Sequence, residues 1–107
     1  NKNNGEKNMS KVFESTDYAS TIKASELDEQ GIDCVPIELE RCKSEKYRND
    51  FFRLTVEVDG NIEVIQFGNQ KLGKLFMRNW EQLEGRYINI SRVGEGYAAR
   101  YIVKVLD

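Results

Sequence analysis

Cations and aromatic rings alternate along two short stretches of the chain. The first holds Lys43, Lys46, Tyr47, Arg48, Phe51 and Arg53; the second holds Arg92, Tyr97 and Arg100. Ammonium and guanidinium groups can track phosphates, and flat rings can stack bases. The pattern therefore suits a single strand of nucleic acid, bound with little sequence preference. Each residue also has a plainer account. Glu45 and Asp50 interrupt the cations, a mixed-sign pattern typical of a solvated loop. Phe51 could equally cap a core, and Tyr97 could pack on Phe51 or on the N-terminal segment.

The residues for catalysis are missing. Histidine is absent, and no glycine-rich phosphate loop or nucleophile elbow occurs. Glu38 and Glu40 share one side of an expected strand, but an acid/base role needs a pocket and a shifted pKa. Gly94-Glu95-Gly96 is too short for a phosphate loop and reads as a hairpin. Cys34 and Cys42 are the only cysteines. Eight extended steps would hold them about 26 Å apart, whereas a disulfide needs Cα atoms within roughly 7 Å. Two free thiols are expected, with no structural zinc. These features predict a protein that is not an enzyme and uses no cofactor or metal.

At 107 residues the chain is long enough for one core and too short for two. Its 16 Lys and Arg face 18 Asp and Glu, a formal net charge of −2. That excludes a generally basic coat but not a local basic patch, because binding responds to the field at a site. No apolar run is long enough for a transmembrane helix, and no signal-peptide core is present. A cytoplasmic location without membrane contact is the default expectation.

The chain divides into two stretches, of which the second must hold the cations and rings in place. Residues 1–20 are polar, with Val12, Phe13 and Tyr18 as the bulky apolar anchors. They read as a flexible arm, because such a segment cannot offset its ordering entropy by burial. The ordered domain spans 21–107, opening with Thr21 to Leu27 as a short strand or turn. Val35, Ile37 and Leu39 then alternate with polar or proline positions and predict a half-buried strand. Pro36 lacks a ladder donor, so it requires an edge or a bulge there. Arg41 to Asp50 reads as a long loop.

Phe52, Leu54, Val56 and Val58 form the core face of a second strand. Asp59-Gly60-Asn61 is turn chemistry, and Ile62 to Phe67 returns as a third. A two-residue turn would turn Ile65 and Phe67 inward; a three-residue bulged turn would choose Ile62 and Val64. From Asn69 to Gly85, Leu72, Leu75, Phe76, Trp80 and Leu83 recur at helical spacing. The stripe predicts one amphipathic helix, capped by Asn69, with Trp80 in the core. Arg86 to Val93 and Tyr97 to Leu106 complete five strands, with Ile88, Ile90, Tyr101, Val103 and Val105 inward. Five strands with a helix between the third and fourth is the order of the OB-fold barrel.

The run IKASEL at 22–27, the GNQK junction at 68–71 and Trp80 followed by LEGRYINI at 83–90 resemble a known group. They look like the single-stranded DNA-binding OB domains of phages and mobile elements. The resemblance spans about residues 21–106, and the chain departs from the group in its low basicity. It implies an OB-fold that binds single-stranded DNA beside a replication or recombination machine. On such a barrel, ligand lies across strands two and three between the first and last loops, where the nine cations and rings above fall. RNA is a third candidate ligand, though no residue here reads a 2′-hydroxyl. The rival expectation is a protein-protein interaction or oligomerisation module, favoured by the mixed charge.

Overall fold

The computed structural model describes residues 20–46 and 48–107. Tyr47 and the expected arm, apart from Ser20, therefore lie outside the described residues. Mainly β, the described residues curl six strands into a half-barrel with helix packed against its inner face. The strands are β1 (Ser20–Lys23), β2 (Ile32–Cys42), β3 (Phe51–Val58), β4 (Asn61–Phe67), β5 (Ile88–Val93) and β6 (Arg100–Val105). Their spatial order is β1-β4-β3-β2-β5-β6. The expected count of five is thus corrected to six. The extra strand, β1, runs parallel to β4 from Ser20↔Glu63 to Lys23↔Gln66, and all other pairs are antiparallel. No helix among the described residues is long and apolar enough to cross a membrane.

The β3–β4 hairpin closes through a two-residue loop, since Val58 pairs with Asn61. Asp59 and Gly60 both take positive φ, 52° and 84°, the backbone that matches the twist of adjoining strands. This register turns Ile65 and Phe67 into the core and leaves Ile62 exposed. On β2 the expected facing fails in part. The register slips between Pro36 and Glu38, so Ile37 is the extra residue of a bulge and lies exposed. Cys34 and Pro36 are the buried residues, with Leu39 returning to the core after the bulge. Proline explains the slip: it offers no N–H to the ladder. β2 also runs on to Cys42, which pairs with Phe51 and shortens the expected loop to 43–50.

The expected single helix is two: α1 (Gln70–Arg78) and α2 (Trp80–Leu83). Asn69 caps α1, its Oδ1 accepting from the Leu72 N–H at 2.8 Å. Asn79 leaves helical geometry at φ −115°, ψ 20°, and its Nδ2 donates to the Leu75 carbonyl at 2.8 Å. A short amide that competes for backbone partners breaks a helix in this way. Leu72, Phe76 and Leu83 are buried, whereas Trp80 is half-buried at the margin of the core that was expected to enclose it. Gly73 is an asset and not a weakness. A Cβ there would stand 2.3 Å from the Phe52 ring, which itself stacks on Phe67 at 5.3 Å. The helix gives up about 1 kcal/mol of propensity so that it can lie directly on that ring pair.

The last strands are shorter than expected. Gly96–Ala98 forms a 3-10 turn before β6 begins at Arg100. Tyr101 and Val103 pack on the core, but Val105 is exposed at the end of the sheet.

Candidate functional site

Two grooves adjoin at Tyr101. The larger, about 570 Å³, is bordered by Lys23 and Ser25 after β1, Asn49, Asp50 and Phe51 at the start of β3, and Gln66 to Gly68 at the end of β4. Tyr101 of β6 closes its far side. The second, about 330 Å³, lies between the start of α1 and the 3-10 turn, against Lys71, Tyr97, Arg100 and again Tyr101. The grooves thus occupy the mouth of the half-barrel, where the β1 and β6 sides approach without pairing.

Local bonds hold this mouth in shape. The Arg41 guanidinium donates to the Asp50 carboxylate at 2.7 Å across the base of the 43–50 loop. Gln70 Nε2 donates to the carbonyls of Asp50 (2.7 Å) and Gly68 (2.9 Å), tying the loop to the exit of β4. Arg41 is largely exposed, so its pair adds little stability and mainly sets loop geometry. Charge at the mouth is locally positive. Among the described residues, Lys23, Lys71 and Arg100 border the grooves, and the one bordering carboxylate, Asp50, already holds Arg41.

No family model, curated protein or solved structure matches this chain.

The expected binding residues divide into three groups. Phe51 borders the larger groove, and Tyr97 and Arg100 border the smaller one. Lys43, Lys46 and Arg48 are exposed on the 43–50 loop whose Ser44, Asn49 and Asp50 form one wall of the larger groove. Tyr47 lies outside the described residues. Arg53 and Arg92 border neither groove. Arg53 shares the outer face of β3 with Phe51, between Glu40 and Gln66 on the flanking strands. Arg92 stands half-buried opposite Tyr101, its backbone N–H donating to the Asp28 carbonyl at 2.9 Å.

Sequence reasoning missed Lys23, Ser25, Gln66, Lys71 and Tyr101. Lys23 could have been found only by knowing that β1 pairs with β4. Tyr101 was assigned inward, and it is, but at the rim where an inward ring also faces the groove.

Both cysteines are free although they share β2. Burial, with the Asp33 charge adding to it, pushes the Cys34 thiol up to about 12. Cys42 is also raised, chiefly by burial, but is part-exposed. A thiol-specific reagent added to the native protein should label Cys42 and reach Cys34 only on unfolding. The folded state keeps the Cys34 proton where the unfolded chain, near 9, has lost it. This contribution to stability is therefore full below pH 9 and declines as pH rises toward 12. Denaturant titrations across that window check the sign, with Cys34→Ala as the control that makes the slope shallower.

Proposed function

We propose that this chain is a non-enzymatic single-stranded DNA-binding protein on an OB-type barrel to which β1 adds a sixth strand. With β1 set aside, the remaining order is three strands, helix, two strands, and β2 pairs with both β3 and β5. That order supports the finer fold assignment. The observation that carries the functional reading is the convergence of Phe51, Tyr101 and Tyr97 with Lys23, Lys71 and Arg100 around two continuous grooves. Rings supply sequence-tolerant stacking, and side-chain cations that displace the strand's condensed counterions supply salt-dependent affinity. The 43–50 loop cations would extend the phosphate track at one end.

Fluorescence anisotropy with labelled oligo(dT) at several salt concentrations tests the reading. Binding should weaken steeply as salt rises, and removing Lys23 or Arg100 should flatten that slope by about one unit per cation. No binding at low salt overturns it. Oligo(U) in the same titration separates DNA from RNA.

A second reading, a protein-interaction or oligomerisation module, is favoured by a different surface. Tyr87 bonds to Leu106 through the latter's N–H (2.8 Å), and both are exposed with Ile62 at the end of the sheet remote from Phe51. Asp33 lies beside Tyr87 and holds its phenol above the usual range. A stable oligomer by light scattering, lost in Tyr87→Ser, would support this use of the barrel.

A further inference from the structure

We infer that the larger groove reads base edges, so that the protein discriminates among the bases of the strand it holds. This rests on the single-strand reading above and goes beyond it, since stacking and phosphate contact alone are indifferent to sequence.

The polar groups at the mouth fall into two sets. One set is occupied in holding the fold: Gln70 donates to two carbonyls, and Asp50 accepts from Arg41. The other set borders the cavity unengaged. Ser25, Asn49 and Gln66 make no side-chain hydrogen bond among the described residues, yet all three border the larger groove. Two of them are amides, which offer a donor and an acceptor side by side. The Watson–Crick edge of a base presents the complementary pair, and specific single-strand recognition proceeds by stacking a splayed base and bonding that edge.

Gln66 is the best placed of the three. Its strand is paired on both sides, with Arg53 of β3 opposite it and Lys23 of β1 on the other flank. A side chain rooted in a doubly paired strand starts from a fixed backbone, which favours selective hydrogen bonding more than a loop does. Phe51 and Tyr101 supply rings in the same groove, and Lys23 supplies a cation beside the amide. At about 570 Å³ the space lies within the usual size of a small-molecule pocket, roughly 300–1,000 Å³.

The test compares oligo(dT) with oligo(dC) of equal length, because these pyrimidines stack similarly and differ chiefly in their pairing edge. Anisotropy titrations of the full chain, in one buffer, should separate the two by about tenfold in affinity. Gln66→Ala should bring them within about twofold while still binding the weaker ligand. Asn49→Ala, on the exposed loop, gives an independent variant if Gln66→Ala melts early, and should likewise narrow the gap. Equal affinity of the natural chain for both oligomers overturns the inference and leaves the single-strand reading standing. A gap that survives both substitutions overturns it too. Binding to neither oligomer overturns the reading on which it rests.

Discussion

Replacing Gly31 with alanine should lower the stability of the fold by at least ~2 kcal/mol, read as a fall in the midpoint of chemical denaturation. Two independent costs meet at this residue. Its φ is +71°, a region that side chains other than glycine's rarely adopt. A Cβ would also stand 2.2 Å from the Ile90 carbonyl oxygen, and that atom belongs to β5 and cannot rotate away. Asp28 fixes the approach, its Oδ1 accepting from the N–H groups of both Gln30 and Gly31 at 3.0 Å. The turn feeds directly into β2, whose first pairs with β5 are Ile32↔Ile90 and Asp33↔Asn89. Any shift to admit a methyl group therefore moves the seam joining the two halves of the sheet. Gly60→Ala is the control. It also has positive φ, but nothing lies within 4 Å of the added carbon, so it should cost only the backbone strain. Equal losses at the two positions would show that the close approach of β5 is not the cause.

Phe51→Ala should weaken oligo(dT) binding by ~1–3 kcal/mol, about thirtyfold in Kd at the middle of that range, with a smaller effect on stability. Phe51 is half-buried at the first position of β3 and borders the larger groove, whereas its neighbour Phe52 is sealed in the core against Phe67. The two residues are chemically identical and adjacent, so they separate the two roles. Phe52→Ala should cost ~3–5 kcal/mol of stability through cavity formation. Phe51→Ala should leave the fold largely intact and act on affinity at every salt concentration by a similar factor. Tyr97→Ala should behave like Phe51→Ala with no stability change, because Tyr97 is fully exposed. An affinity unmoved by either substitution would remove stacking from the proposal.

Local pattern determined most of the elements. The alternation at Phe52 to Val58, the Asp59-Gly60 turn, the Asn69 cap and the stripe through Leu72, Phe76 and Leu83 each rest on residues close in sequence, and each stands in the structure. The free thiols were legible for the same reason: two residues on one strand cannot meet. Periodicity also placed Phe51 opposite Phe52 and so marked it as the ring available to a ligand.

What escaped the sequence depended on partners distant along the chain. Local pattern leaves the stretch from Thr21 open between strand and turn, and it becomes a strand because β4 offers it an edge to pair with. Ile37 reads as inward until the bulge beside Pro36 turns it out, so the inward positions are Cys34 and Pro36 before the slip and Leu39 after it. Gly73 looks like a weakness in a helix until the Phe52 ring is seen beneath it. The grooves follow the same rule. Lys23, Gln66 and Tyr101 sit on three strands with ordinary local patterns, and only the curl of the sheet gathers them at one mouth. Spacing along the chain decides which side chains share a face, while the curvature that brings separate faces together is a property of the whole packed sheet.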